Sequence, residues 1–264
     1  MKPSRLIINR KQQEMSITRI FTTAMLTAVT AMGIHATVLD SLRVDARLGY
    51  SVGGTLPTHI GHEIRGINNF NLGLNFSVAA EASLPINERW AVHSGLRYET
   101  GGMDVDSRVK NYDIEVVKGD ESLSGIFNGD VRIKSTQRRI TLPVQAAYTL
   151  SNSVTLRGGL FMGWLTHRRF WGWAYDGYMR EGTPVGPKIE LGTEPGDRGD
   201  FEFDHNMRIM QWGLDVGADW QFHHRWGLYA ELTYGLNGLF KSDFHSVQTL
   251  RPMYGTLGIL YRLK

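Results

Sequence analysis

The chain has 264 residues, a formal net charge of +3 and no cysteine. The lack of cysteine excludes a disulfide scaffold, a thiolate metal site, a cysteine nucleophile and an acylated lipoprotein N-terminus. The net charge is small and the basic pI of about 9.1 comes partly from the N-terminal segment, so the composition does not indicate nucleic-acid binding. A mean hydropathy of -0.25 argues against helical membrane spans, but not against a membrane β-barrel, in which lipid-facing and lumen-facing residues alternate.

The first 36 residues follow the order of a secretory signal, with a basic segment, an apolar run and a small residue at the cut. Arg19 precedes the apolar run, and Ala36 is the predicted cleavage site. The run is shorter than the ~20 residues that a transmembrane helix needs, and the alternative is a buried N-terminal helix. We therefore predict a signal peptide over 1–36, with Met15 as an alternative start, and a β-barrel domain over 37–264.

Beyond the signal, one pattern recurs in which apolar side chains alternate with small or polar ones. The segment RWGLYAELTYG is an example, with Trp, Leu, Ala, Leu and Tyr at every second position. Successive side chains of a strand point to opposite faces, so this period predicts strands with one apolar and one polar face. The pattern predicts eight strands, in chain order 43–52, 70–84, 90–98, 139–148, 154–164, 210–222, 225–235 and 253–263.

The connections between the predicted strands alternate in length. Three are short turns, PINER, LSNS and HHR, with residues that favour turns. The other four are long and have no sustained period, so we predict irregular loops over 53–69, 100–138, 165–209 and 236–252. Strict alternation of short and long connections is typical of an outer-membrane barrel, whose short turns face the periplasm and whose long loops face outside.

Charge and size distinguish the two faces of the predicted strands. The apolar faces contain no Asp, Glu, Lys or Arg, whereas the opposite faces carry arginines and carboxylates in balance, among many glycines. The interior of an eight-stranded barrel is filled by side chains, so small residues and paired charges fit a lumen. We predict a structural charge network in the lumen, formed by Arg47, Glu81, Arg97, Arg157, Asp215, Asp219 and Glu231.

Aromatic residues stand at both ends of the apolar faces. Two such belts match the girdles where a barrel crosses the two membrane interfaces, so the bulky faces are predicted to contact lipid. The last strand is predicted to pair with the first, because an open edge would leave backbone groups unpaired in hydrocarbon. The short-turn belt is Trp90, Tyr148, Trp220, Trp226 and Tyr261, and the long-loop belt is Tyr50, Phe70, Tyr98, Trp164, Trp212 and Tyr234.

With this layout the chain resembles the PorT-like outer-membrane β-barrel family of Gram-negative bacteria. The matching segments are VDARLGYSVGG, FNLGLNFSVAAEASLPINERWAVHSGLRYE, ITLPVQAAYTLSNSVTLRGGLFMGW, WGLDVGADWQFHHRWGLYAELTYGLNGL and YGTLGILYRL. The apolar-Pro-apolar step of the family matches Leu142-Pro143-Val144, and Pro143 also predicts a bulge or a bend. The resemblance implies an all-β fold, an eight-stranded antiparallel transmembrane β-barrel in the outer membrane, and for some members a role in secretion through a dedicated export machine.

The segment RRFWGWAYDGY is the most distinctive of the long connections. Aromatic and arginine side chains can stack on a sugar ring, a peptide or a lipopolysaccharide head group. The alternative is that these rings pack the loop against itself and against the girdle. The candidate binding residues are Arg168, Arg169, Trp171, Trp173, Tyr175 and Tyr178.

The sequence predicts neither an enzyme, nor a metal site, nor a cofactor. His59 and His62 are spaced to share a metal but have no clear further ligands, and loop residues such as Asp204 and His205 match no catalytic spacing. We predict a non-catalytic outer-membrane protein whose loops bind lipopolysaccharide, membrane lipid or an envelope protein, or serve secretion-linked assembly, without nucleic acid. The alternatives are a lipid-active enzyme or a narrow pore on the same barrel, and a soluble lipocalin-like barrel that binds a ligand.

Overall fold

The structure, a computed structural model, describes residues 41–57, 62–73, 75–118, 121–181, 185–242 and 250–264. The predicted signal peptide over 1–36 and His59 lie outside these residues. Within them, no α-helix combines the length and the apolar composition that a membrane span requires. The unit over 43–264 is built of β-strands with one short 3-10 helix.

The strands belong to one antiparallel sheet. In chain order, they are β1 (Arg43–Pro57), β2 (Ile64–Leu72), β3 (Phe76–Pro85), β4 (Trp90–Lys118), β5 (Glu121–Ser151), β6 (Val154–Glu181), β7 (Lys188–Leu191), β8 (Gly199–Glu202), β9 (Met210–Gln221), β10 (Trp226–Gly235) and β11 (Leu250–Arg262).

Eight of the described strands form a ring in the order β1, β3, β4, β5, β6, β9, β10 and β11. β11 pairs with β1 from Asp45↔Arg262 to Pro57↔Leu250, so each strand of the ring has two neighbours. This confirms the predicted eight-stranded antiparallel barrel. Short turns connect β3 to β4, β5 to β6 and β9 to β10, and all three lie at the same end of the ring.

Side chains of the ring alternate between an apolar outer face and a polar inner face. On β11, Leu257 is 69% exposed, whereas the adjacent Thr256 is 6% exposed. Leu160 and Val216 are likewise exposed outside, while Arg157 is buried inside. A soluble lipocalin-like barrel would have its apolar faces inside, around a ligand, so that alternative is wrong.

The aromatic belts lie where the sequence predicts them, with one exchange. Phe70 pairs with Val105 of β4, beyond the end of the barrel, and therefore is not part of the long-loop belt. Phe76 takes that place, since it pairs with Tyr50 and its ring centroid lies 6.3 Å from that of Tyr98. The predicted strand over 70–84 is divided into β2 and β3, which moves the belt position along the chain.

Pro143 causes no register shift in β5. The pairs Ser94↔Val144 and Arg97↔Thr141 follow one register on either side of it, so the expected bulge is absent. The Ser94 hydroxyl donates to the Pro143 carbonyl at 2.7 Å, which satisfies one polar group at the interruption.

The prediction of irregular loops over 100–138 and 165–209 was wrong. β4, β5 and β6 have 29, 31 and 28 residues, whereas a barrel strand needs about 9–11 residues to cross a bilayer. Beyond the ring they continue as an external sheet. β2 joins it on β4, and β7 and β8 join it on β6, with β8 also pairing with β4 at Val117↔Asp200.

Bulges explain why the sequence pattern missed these extensions. Register shifts lie between Val109 and Tyr112 in β4, and between Tyr175 and Tyr178 in β6, and each of these segments has one residue more than the segment that it faces. Each inserted residue moves the following side chains to the other face, so no single period of two continues along the extended strands. Asn111 occupies the left-handed region at φ 57° within the first bulge, a conformation that asparagine tolerates better than most residues.

The external sheet has an apolar core of its own, unlike the polar interior of the barrel. Burying a large apolar side chain contributes roughly 1.5–3 kcal/mol, so this core can hold the sheet together outside the membrane. Its largest fully buried members are Phe127, Phe170, Met179, Met207 and Leu239.

Candidate functional site

Glu81 is the centre of the lumen network. Its carboxylate contacts Arg97 Nε, and Arg47 Nε lies 2.7 Å from its Oε2. His93 Nε2 lies 2.8 Å from the same oxygen. The three side chains come from β1 and β4, the two neighbours of β3 in the ring, so closure of the barrel directs them at one carboxylate.

Two further carboxylates connect the remaining arginines. Asp219 accepts hydrogen bonds from Arg47, at 2.9 and 2.7 Å, and from Arg157, at 3.1 and 2.9 Å. Glu231 accepts from Arg97 at 3.0 Å and from Arg157 at 3.1 Å. Because each guanidinium forms ion pairs with more than one carboxylate, the charges form a connected network rather than isolated pairs.

The structure brings all seven predicted lumen residues together. Asp215 is the most loosely held, since its closest arginine contact is Arg97 Nη1 at 3.4 Å. His93 shares the inward parity of Arg97 on the same strand but was not among the predicted network residues. Arg139 and Glu99 were not among them either, and Arg139 Nε donates to Glu99 Oε2 at 2.8 Å.

Ser83, His93 and Glu81 follow the order of a nucleophilic relay. Ser83 Oγ lies 2.7 Å from His93 Nδ1, and the other ring nitrogen faces the Glu81 carboxylate. In a hydrolase, such a carboxylate stabilises the imidazolium that forms when the serine is deprotonated. Here Arg47 and Arg97 already neutralise Glu81, so little negative charge remains to support His93 as a base.

The lumen is open at its short-turn end and filled in its middle. Ser83 lines a cavity of about 390 Å³ at the short-turn end, together with Arg43 and Arg262. Deeper in the lumen, the space between Arg47 and Tyr229 does not admit a water molecule. At this level, the described side chains of the network fill the space between the walls of the lumen.

The outer face of the external sheet carries the second candidate site. Trp173 is its centre, with Arg198 Cζ 4.3 Å from the ring centroid. Arg132 Cζ and Lys134 Nζ each lie 5.6 Å from the same ring. Each such cation–π contact contributes about 0.5–1 kcal/mol at an exposed site, so together they hold the indole in one orientation.

The outer face is ordered in columns across three strands. Trp171 pairs with Lys134, which pairs with Asp104, so aromatic, basic and acidic residues follow one another from β6 to β4. In the next row, Trp173 pairs with Arg132, which pairs with Asp106. The aromatic column is thus separated from the acidic column by a column of cations.

The acidic column holds the cations by charge-assisted hydrogen bonds. Arg132 donates twice to Asp104, at 2.8 Å each, and these bonds hold the pKa of Asp104 below its usual range. Arg108 donates to Asp130 at 2.9 and 2.7 Å and likewise lowers the pKa of that carboxyl. Burial, and then the bond that Tyr175 donates to Asp106, raise the pKa of Tyr175 to about 12.

Five of the six predicted binding residues lie on this outer face. Arg169 Cζ lies 4.6 Å from the Trp171 ring centroid, and Lys188 Nζ lies 5.0 Å from that of Tyr178. Tyr178 stays on the face of Tyr175, although the two are three positions apart, because a bulge lies between them. The remaining members are Trp173 and Tyr175.

Arg168 does not belong with the other five. It pairs with Gln137, a residue that is 3% exposed and faces inward. Its Nε donates to the Asp204 carbonyl at 3.2 Å. Strand alternation places Arg168 on the opposite face from Arg169, so its grouping with the outer binding residues was wrong.

Among the described residues, no group of three or more His, Asp or Glu side chains is arranged to hold a metal ion. His62 is one of these residues, whereas its predicted companion His59 lies outside them.

A family model for the outer membrane protein beta-barrel domain matches residues 31–241. Among solved structures, Ail of Yersinia pestis in complex with the heparin analogue sucrose octasulfate has 11% identity and a TM-score of 0.38, over 84% of this chain and 97% of that one. OprG from Pseudomonas aeruginosa has 14% identity and a TM-score of 0.35, over 84% and 95%. Neisserial surface protein A has 11% identity and a TM-score of 0.33, over 84% and 96%. Such low identities and scores carry no information about function, and no curated protein matches the sequence.

Proposed function

The chain belongs to the outer membrane protein beta-barrel domain family and lies in the cell outer membrane, and on that premise we propose that its external sheet binds the sugar portion of lipopolysaccharide. The observation that carries the proposal is the aromatic column beside a column of cations on one rigid face. Lipopolysaccharide forms the outer leaflet around such a barrel, so its sugars and phosphates are the ligand nearest to this face.

The two columns suit the two parts of this ligand. Trp171, Trp173 and Tyr175 offer ring faces on which a sugar can stack. Lys134 and Arg132 lie directly beside them. Asp104 accepts from Nε and Nη2 of Arg132, and the remaining guanidinium donors can bond a phosphate substituent. Because the side chains are already ordered by the sheet, little conformational entropy is lost on binding.

The test is binding of purified lipopolysaccharide to the delipidated protein in detergent micelles, measured by calorimetry. We expect Trp173→Ala to weaken binding at least tenfold, and Trp171→Ala/Trp173→Ala more. Trp220→Ala is the matched control, because Trp220 is an exposed tryptophan at the short-turn end. Unchanged affinity in the double variant would refute the assignment.

We further propose that the protein is not an enzyme and that its barrel does not conduct. The neutralised Glu81 argues against the Ser83 relay, and the filled middle of the lumen argues against a narrow pore. A serine-directed fluorophosphonate probe should leave Ser83 unlabelled, and planar bilayers should show no stable conductance. Labelling that Ser83→Ala abolishes would restore the enzyme alternative.

The narrower resemblance to PorT-like barrels, with a role in secretion-linked assembly, stays a prediction. Crosslinking in intact cells, followed by identification of the captured proteins, tests it. A reproducible partner from an export machine would favour assembly over lipopolysaccharide binding as the main role.

A further inference from the structure

Two of the short turns end in the same arrangement of side chains. Arg89 precedes Trp90 at the start of β4, and Arg89 Nη1 donates to the Tyr148 hydroxyl at 3.2 Å. The Trp90 and Tyr148 ring centroids are 4.9 Å apart. We call such a set an Arg–Trp–Tyr corner.

The second corner repeats the first on another strand pair. Arg225 precedes Trp226 at the start of β10, and Arg225 Nη1 donates to the Tyr261 hydroxyl at 3.2 Å. The Trp226 and Tyr261 ring centroids are 4.8 Å apart. The shared distances indicate one local geometry rather than two chance contacts.

The backbone repeats as well. The Arg89 carbonyl accepts from the Thr149 amide at 2.8 Å, and the Arg225 carbonyl accepts from the Arg262 amide at 2.7 Å. In each corner the donor amide belongs to the residue after the tyrosine. The two corners lie on opposite sides of the ring, with β6 and β9 between them on one side and β1 and β3 on the other.

The corner arginines differ from those of the lumen in having no carboxylate partner. Both Arg89 and Arg225 are exposed, and among the described residues neither forms an ion pair. A guanidinium has five N–H donors, and the hydrogen bond to the tyrosine uses one of them. Each corner therefore presents an uncompensated cation with free donors at the short-turn edge of the apolar band.

We propose that each Arg–Trp–Tyr corner binds the phosphate of a phospholipid in the periplasmic leaflet. The short turns face the periplasm, and the periplasmic leaflet of an outer membrane consists of phospholipid. The Trp and Tyr rings lie at the depth of the interface, where their apolar bodies contact acyl chains. The arginine fork fits a phosphate through paired hydrogen bonds, and the tyrosine hydroxyl fixes the fork in place.

A third short turn shows that barrel geometry alone does not require the cation. The Ser153 carbonyl accepts from the Gln221 amide at 2.7 Å, which is the same backbone contact at the start of β6. There, Ser153 and Val154 take the places of the arginine and the tryptophan, opposite Trp220. This position keeps the aromatic belt but lacks the charge, and it supplies the internal control.

The proposal does not depend on the ligand of the external sheet, and it can be tested separately. Delipidated full-length protein in detergent is titrated with phosphatidylglycerol, and bound lipids are counted by native mass spectrometry. We expect two tightly bound lipids, one lost in Arg89→Gln or Arg225→Gln and both lost in the double variant, with at least a tenfold weaker affinity. Glutamine keeps a donor for the tyrosine but removes the charge.

The controls distinguish a lipid site from other outcomes. Ser153→Ala should retain both lipids, and a heat-dependent shift in gel mobility shows whether each variant is folded. Inorganic phosphate at millimolar concentration should not displace the lipids, and displacement would mean that the corners bind a free anion. Two lipids retained by the folded double variant, or none bound by the wild type, would overturn the proposal.

Discussion

Arg97 of β4 and Glu231 of β10 meet across the lumen, with Arg97 Nη2 donating to Glu231 Oε2 at 3.0 Å. Their strands lie on opposite sides of the ring, where no backbone hydrogen bond can join them. The same guanidinium contacts Glu81, so one side chain links two distant walls of the barrel. The polar interior thus holds the walls of the barrel together, as an apolar core does in a soluble barrel.

Removing this link should destabilise the barrel strongly. Arg97→Met leaves buried carboxylates without their partner, which costs about 3–5 kcal/mol for a buried ion pair. The measurement is urea unfolding in detergent micelles, followed by gel mobility. Arg43→Met, at the exposed rim of the lumen, should change stability by less than about 0.5 kcal/mol. Equal stability of the two variants would mean that the network is not structural.

Glycines of the inner wall should not tolerate a side chain where strands approach closely. A Cβ at Gly95 would meet the Ala80 carbonyl oxygen and lie 2.5 Å from Glu81 Cα. We expect Gly95→Ala to cost about 1–3 kcal/mol by overpacking, measured by the same unfolding assay. Gly66→Ala is the matched control, because a Cβ at Gly66 has nothing within 4 Å. If both substitutions are neutral, the inner wall is less crowded than the geometry indicates.

The external sheet should unfold separately from the barrel when its core is damaged. Phe170 is fully buried there, and truncation of a buried Phe to Ala costs about 3–5 kcal/mol. In Phe170→Ala we expect limited proteolysis to cleave the extensions of β4, β5 and β6, while the gel shift of the barrel persists. Phe222→Ala, exposed at the short-turn end, should remain resistant. Loss of both parts together would show that they fold as one unit.

Acid should weaken the external sheet through Asp104 and Asp130. Their pKa values are lowered in the folded state by Arg132 and Arg108, so their stabilisation is complete above the ordinary aspartate pKa of about 3.9. It is lost as the pH falls through the lowered folded-state values. The protection factors for hydrogen exchange in the external sheet, which correct for the intrinsic pH dependence of the exchange rate, should therefore fall below about pH 4.

The variant Asp104→Asn/Asp130→Asn should exchange faster at neutral pH and respond less to acid. The barrel amides provide the internal reference in the same sample. An acid response in the double variant as large as in the wild type would assign the effect to other groups.

The candidate sites were predictable to different degrees. The inward position of Arg47, Arg97 and Asp215 follows from strand parity alone, because each charge avoids the face that contacts lipid. Their partners do not follow from it, since Arg97 contacts carboxylates 16, 118 and 134 positions away. Only the register of a closed ring decides which of them meet.

The outer face shows where local reasoning fails. Trp171, Trp173 and Tyr175 share one parity and lie together, as a strand requires. Arg168 was grouped with them because the segment was treated as a loop, whereas strand alternation turns Arg168 inward. A bulge between Tyr175 and Tyr178 brings Tyr178 back to their face, and a pattern with a fixed period of two does not predict such a bulge.

The sequence by itself determined the eight barrel strands, their polar and apolar faces and the end at which the short turns lie. These properties are local, because residues two positions apart on a strand lie on the same face and meet the same environment, either lipid or the lumen. Tertiary structure alone decided the length of β4 to β6, the bulges between their faces and the pairing of the lumen charges. The lengths and the bulges depend on the hairpin pairing of β4 with β5 and of β5 with β6, whereas the charge pairs join residues far apart in the chain, which meet only when the ring closes.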